Sequence, residues 1–166
     1  MISKKVILTG SFGVGKTSLF QRFLTGQFKE KYLTTVGAKI AKKELYVDEQ
    51  KMALLVWDIA GEITQDKVPA SYFLGAGGII YVMDLTRPTT FAHLESDLKI
   101  FKNLLPYGVV KIVANKRDLV SDEDAKELLD SLTHSCDFVT SAKTGENVET
   151  LFQEMATRLL ENHHHG

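Results

Sequence analysis

The stretch Gly10-Ser11-Phe12-Gly13-Val14-Gly15-Lys16-Thr17, directly after the apolar run Val6-Ile7-Leu8, decides how the rest of the chain is read. It fits the pattern Gly-x-x-x-x-Gly-Lys-[Ser/Thr]. A strand-length run precedes it, and Leu19, Phe20, Phe23 and Leu24 follow at helical spacing, which is the strand, turn and helix context the pattern requires. Glycines let consecutive N–H groups turn inward, and a helix start adds roughly half a positive charge, so the loop is suited to cradle phosphate. In this reading the loop from Gly13, Val14 and Gly15 to Ser18 holds the phosphates. Lys16 reaches the β and γ phosphates, and the Thr17 hydroxyl ligates Mg²⁺. ATPases, nucleotide kinases and GTPases all remain open at this stage.

Asn115-Lys116-Arg117-Asp118, after the apolar run Val109 to Val113, narrows the choice. A carboxylate at Asp118 can accept from both N1–H and the exocyclic N2–H₂ of guanine. Adenine lacks that donor pair and would leave the carboxylate desolvated and unpaired, at a cost of several kcal/mol. Asn115 is expected to tie this loop to the phosphate loop, and the Lys116 stem to cover one face of the base. Ser141-Ala142-Lys143 follows the last strand, where the Ala142 N–H can donate to guanine O6. Both short runs fall at strand ends, where open α/β sheets bind ligands.

Outward from these loops, apolar runs of strand length alternate with segments of helical period, so the fold class is α/β with a mostly parallel sheet covered on both faces. The strands are expected around 6–8, 39–47, 51–59, 79–83, 109–113 and 138–139. Asp48-Glu49-Gln50 would close a hairpin that makes one antiparallel edge. Phe91, Leu94, Leu98, Phe101 and Leu105 form a helical stripe, as do Val148, Leu151, Phe152, Met155 and Leu159. Ser121, with Asp124 three residues on, reads as a capping-box start. About five helices are expected in all. Weak periodicity between Gly26 and Gly37, and again from Ala60 to Tyr72, marks two loops beside the chemistry.

The 166 residues, 44% hydrophobic, suit a single core, so residues 1–161 are expected to form one domain and 162–166, carrying His163 to His165, an appended tail. With 20 basic and 21 acidic side chains the net charge is −1, which provides no footprint for nucleic acid or an anionic membrane. The single cysteine, Cys136, cannot form an internal disulfide and agrees with a reducing, cytoplasmic setting. No apolar stretch reaches bilayer length, and a monomer is expected.

On these motifs the chain resembles the Ras superfamily of small GTPases, most like the Rab branch, over about Lys4 to Leu160. The resemblance implies the three-layer small G-protein fold of P-loop NTPases, with a six-stranded sheet, and GTP or GDP as ligand with Mg²⁺ as cofactor. It further implies that Phe28 packs on the guanine ring, that Thr35 closes on Mg²⁺ and the γ-phosphate, that Asp58 holds Mg²⁺ through water, and that the Gly61 N–H meets the γ-phosphate. Residues 28–37 and 60–73 become the switches that respond to the γ-phosphate. Effectors, exchange factors and activating proteins are the implied partners, with Ile40, Trp57 and Phe73 at the positions of the Rab effector-reading surface. Rab proteins carry a lipidated tail, and no terminal cysteine follows the last helix here; either the tail was trimmed or the protein has no lipid anchor, and peripheral membrane association is expected only if a tail is missing from this chain.

Two residues depart from the family. Glu62 stands where the family has the glutamine that orients the attacking water, and a carboxylate cannot donate that hydrogen bond. Phe12 stands where the family commonly has glycine or a small residue; its ring either crowds the γ-phosphate, points to solvent or folds over the switch. Slow intrinsic hydrolysis is the expectation, with Lys16, Thr35, Gly61 and Glu62 as the catalytic set. Glu62 as a general base is the alternative. A GTP-held interaction module that hardly hydrolyses is the competing reading, and a small-molecule kinase would leave Asp118 and Ser141 to Lys143 without a use.

Overall fold

The computed structural model describes residues 1–24, 33–35, 37–62 and 64–165, with residues 33–35 described by their backbone alone. The apolar run at Val6 lies in β1, Ile2–Gly10, and the residues after the glycine loop form α1, Lys16–Leu24. Three residues, Leu33–Thr35, make β2. The hairpin is β3, Ala38–Val47, and β4, Gln50–Ile59. Its turn needs only two residues because Asp48 takes a left-handed φ of 54°, which a short polar side chain tolerates. Then follow β5, Ala76–Asp84; α2, Leu94–Leu104; β6, Val109–Asn115; α3, Asp122–Asp130; β7, Phe138–Val139; and α4, Val148–His165.

The strands line up as β2-β3-β4-β1-β5-β6-β7 in one sheet. β1 pairs parallel with β4 and β5, and the β5–β6 and β6–β7 pairs are parallel too, whereas β3 is antiparallel to both its neighbours. All six expected strands are present. The antiparallel strand is one place in from the edge, because β2 adds a short outer strand. Four α-helices lie among the described residues rather than about five, with four short 3₁₀ segments beside them. The stripe from Phe91 is divided in this way: Pro88, lacking an N–H, opens a 3₁₀ turn over Pro88–Phe91, and the α-helix starts only at Leu94. Ser121 caps α3 as its spacing predicts, its Oγ accepting from the Asp124 N–H at 3.1 Å.

Alternation along β1 sends Val6 and Leu8 to one face of the sheet and Ile7 to the other, so the two faces build separate cores. On the first, α1 and α4 cover the sheet, and the Phe23 and Phe152 rings stack with centroids 3.8 Å apart. On the second, Leu94 and Phe101 of α2 meet Ile79, Tyr81 and Met83. Each fully buried phenylalanine contributes about 2–3 kcal/mol by removal from water. α4 runs through His165 with no break at residue 161, and its histidines are exposed. Among the described residues, no helix is long and apolar enough to cross a membrane.

Cys136 is half-buried beside β7, its Sγ 3.1 Å from the Phe138 carbonyl oxygen, and burial pushes the thiol up to about 11. A raised thiol pKa favours the neutral form in the folded state. Its stabilising contribution is therefore complete below the unfolded value and is lost as pH rises toward 11. At pH 8, alkylation of Cys136 by iodoacetamide is expected to run about a hundredfold slower in the folded protein than in urea, because only the thiolate reacts. Mass-spectrometric rates that match in the two states would contradict the buried-thiol assignment.

Candidate functional site

The parallel strands β1, β4, β5, β6 and β7 present their C-terminal ends along one edge, where Gly10, Asp58, Asp84, Asn115 and the residues after Val139 come together. Two cavities open there. One of about 710 Å³ is lined by Gly13, Gly15, Lys16, Thr17, Asp58 and Gly61 among others, and one of about 460 Å³ by Asn115, Asp118, Ala142 and Lys143 among others. They share Gly15, Ser18 and Lys116, so they form one trough with a phosphate-type end and a base-type end.

At the phosphate-type end, Lys16 is buried at the start of α1, its Nζ 3.4 Å from the Ser11 carbonyl oxygen. Burial lowers its pKa, against the opposing pull of Asp58. The Thr17 hydroxyl donates to Asp58 Oδ2 at 2.9 Å. Burial raises the Asp58 carboxyl, while the Thr17 hydrogen bond and the Lys16 and Lys39 charges pull it back. Among the described residues, no group of three or more His, Cys, Asp or Glu could form a metal cage. One hydroxyl and one carboxylate beside a phosphate loop nevertheless suit Mg²⁺, which keeps waters and takes its remaining ligands from substrate phosphates.

The base-type end is built around Asn115, which is 1% exposed. Its Nδ2 donates to the Val14 carbonyl at 3.0 Å, and its Oδ1 accepts from Thr140 Oγ1 at 2.9 Å and from the Ala142 N–H at 3.3 Å. The Ala142 amide expected to be free for the base thus already has a long contact. Lys116 adopts a left-handed φ of 70° and donates from Nζ to the Gly13 carbonyl at 2.8 Å. Asp118, on the turn Arg117–Leu119, is exposed at the rim, its Oδ1 accepting from Ser141 Oγ at 2.7 Å.

The structure brings together most of the residues that the sequence nominates, with some corrections. Val14 contributes main chain only, since its side chain is fully buried in the core. Ser141 is also fully buried and acts on Asp118 rather than lining the trough. Phe28 lies outside the described residues, as does the side chain of Thr35. Gly61 touches the phosphate loop: a Cβ there would lie 2.5 Å from Phe12 Cα, so only glycine fits. The Glu62 N–H donates to the Gly10 carbonyl at 3.3 Å, while its side chain does not line the cavity. Phe12 is 77% exposed, so of the open alternatives its ring points to solvent at the cavity rim.

The effector-face assignment needs a second correction. Phe73 is 2% exposed and packs into the second core, its ring 6.1 Å from Phe101. Tyr72 stands beside Trp57 instead, with ring centroids 6.2 Å apart. In the 3₁₀ turn Ala70–Phe73 successive side chains diverge by about 120°, which puts Tyr72 and Phe73 on different faces of the turn. The loop from Ala60 is anchored in a way its sequence does not announce. Gln65 is 1% exposed, its N–H donating to Asp97 Oδ1 at 3.0 Å, and Asp97 Oδ2 accepts from Tyr81 Oη at 2.6 Å. These buried polar partners come from α2 and β5, so only the tertiary fold assembles them.

Strand order, glycine loop and base-side loop together define a P-loop small G protein. The Ras family model matches residues 5–161. Over 162 residues the chain is 37% identical to Ras-related protein RABA1c of Arabidopsis thaliana, covering 93% of this chain and 74% of that protein. Over 169 residues it is 34% identical to the Ypt/Rab-type GTPase YPT7 of Saccharomyces cerevisiae, covering 95% and 81%. The chain belongs to the Ras family, as a Rab-like small GTPase.

Proposed function

We propose that this protein is a slow, Mg²⁺-dependent GTP/GDP switch whose trough takes the phosphates at Gly13 to Ser18 and the guanine base at Asn115, Lys116, Asp118, Ala142 and Lys143. One observation carries most weight. Asn115 and Lys116 donate directly to the Val14 and Gly13 carbonyls, so the base-selecting loop and the phosphate loop are held at a set separation. A ligand must span both, as a guanine nucleotide does.

Thr17, Asp58 and Thr35 would hold Mg²⁺, which when bound neutralises charge on the phosphate oxygens. Lys16, nearly dehydrated, meets the phosphates with little competition from water. The Gly61 N–H faces the γ-phosphate in this reading, and Phe28 covers the base. Glu62 supplies no hydrogen-bond donor where one is needed, which supports slow turnover. The response to nucleotide runs through residues 28–37 and 60–73, and the surface offered to effectors, exchange factors and activating proteins comprises Ile40, Trp57 and Tyr72. Residues 1–161 form the GTPase domain, and a cytoplasmic site of action accords with its composition.

The position of Glu62, whose side chain lies outside the cavity lining, also favours a second reading, a GTP-held interaction module with almost no hydrolysis. The test is competition between GTP and ATP in the presence of Mg²⁺, followed by nucleotide analysis of the purified protein. Strong preference for GTP with GDP bound supports the slow switch, and GTP that persists for days supports the module. Equal competition by ATP would overturn both.

A further inference from the structure

Four consecutive carbonyls of the phosphate loop have a side-chain nitrogen near them, and the three from Phe12 to Val14 are held by residues from outside the loop. Lys16 Nζ lies 3.4 Å from the Ser11 oxygen, Arg87 Nη1 donates to Phe12 O at 2.7 Å, Lys116 Nζ to Gly13 O at 2.8 Å and Asn115 Nδ2 to Val14 O at 3.0 Å. In a trans peptide the carbonyl of one residue and the N–H of the next point in opposite directions. There are no cis peptides among the described residues, so drawing the Phe12, Gly13 and Val14 carbonyls outward turns the Gly13, Val14 and Gly15 N–H groups the other way, toward the trough. A cation on a carbonyl also polarises the peptide and strengthens the opposite N–H as a donor.

Two of these three outward tethers belong to the base-side loop. Arg87 does not; it comes from the end of β5, and its position is set by its surroundings. Its own N–H donates to the Asp84 carbonyl at 3.0 Å, and its carbonyl accepts from the Thr90 N–H at 2.9 Å and Thr90 Oγ1 at 2.8 Å. Behind it sits Asp84, fully buried, whose Oδ1 accepts from the Thr86 N–H at 2.8 Å and Thr86 Oγ1 at 2.7 Å. Asp84 Oδ2 is held by charge, with Lys116 Nζ at 2.8 Å and Arg87 Nη1 at 3.8 Å. Burial disfavours the charged carboxylate, but the Lys116 and Thr86 donors outweigh it and hold the carboxyl below the usual range.

We propose that Arg87 is a positioning residue for phosphate binding: keyed by the buried Asp84 carboxylate, it pins the Phe12 carbonyl and thereby aims the Gly13 N–H at the distal phosphates. This rests on the guanine-nucleotide reading of the trough and extends it to residues outside the recognised motifs. Of the three outward tethers, the one on the Phe12–Gly13 peptide lies farthest along the loop from that of Asn115. Losing Arg87 therefore weakens the hold on distal phosphates and leaves base selection alone.

Arg87→Ala is expected to release labelled GDP about ten- to a hundredfold faster, the range for one charge-assisted hydrogen bond. By competition, the ratio of GDP to GMP affinity should fall by a similar factor, with the preference for GTP over ATP unchanged. Arg87→Met keeps the stem without the donors and should behave the same; it gives the answer if the alanine variant does not fold. Release within about twofold of the unmutated protein would overturn the proposal, and so would equal weakening toward GDP and GMP, which signals general loosening. If the unmutated protein bound no guanine nucleotide, the underlying reading would fail instead.

Discussion

Replacing Asp118 by asparagine is expected to weaken GDP binding about a thousandfold and to make the protein prefer xanthine nucleotides. In the proposed site the carboxylate would accept two donors of guanine, and two charge-assisted hydrogen bonds at about 2 kcal/mol each correspond to three decades in affinity. An asparagine amide presents a donor where guanine also presents one. The 2-oxo group of xanthine supplies the acceptor that guanine lacks, so the change reverses the preference rather than abolishing binding. The substitution should be tolerated by the fold, because Asp118 is exposed and asparagine Oδ1 can still accept from Ser141 Oγ. Displacement of labelled GDP by GDP and by XDP measures the switch. Guanine affinity within about tenfold of the unmutated protein would mean that Asp118 does not read the base.

Glu62→Gln is expected to accelerate single-turnover hydrolysis of bound GTP by about 10² to 10³, the usual worth of one preorganised donor at a site of developing charge. In the proposed site the glutamine amide would donate where the carboxylate can only accept, and the substitution would also remove a negative charge next to Gly61. Backbone geometry should carry over. The Glu62 N–H is tied to the Gly10 carbonyl and Gly61 abuts Phe12, and neither contact involves the side chain that changes. If Glu62 instead takes the proton of the attacking water, the same substitution slows hydrolysis, so the sign of the effect separates the two roles. A rate for the unmutated protein that matches ordinary members of the family would remove the premise.

Much of the site was legible because its chemistry sits in contiguous residues. Gly10 to Thr17 and Asn115 to Asp118 each carry backbone shape, charge and flanking strand in one run, and the structure puts both at the same sheet edge. The effector face shows where such reading stops. Tyr72 and Phe73 are adjacent aromatics, indistinguishable by composition, and only the turn that carries them sends one to Trp57 and the other to Phe101. Phe91 fits a helical stripe by spacing, yet Pro88 places it in a separate turn. Phe28 and the Thr35 side chain fall outside the described residues.

By itself the sequence determined the fold class, the two ligand-facing loops and the departures at Phe12 and Glu62, because hydrophobic period and motif chemistry are local properties of the chain. Only the tertiary structure decided which way the phosphate-loop amides point. Their carbonyls are drawn outward by Arg87, Asn115 and Lys116, which stand 75, 101 and 103 positions further along the chain. Nothing local to Gly10 to Thr17 specifies those tethers. They exist because parallel pairing of β1, β5 and β6 brings three distant strand ends to one edge, within hydrogen-bonding reach of a single loop.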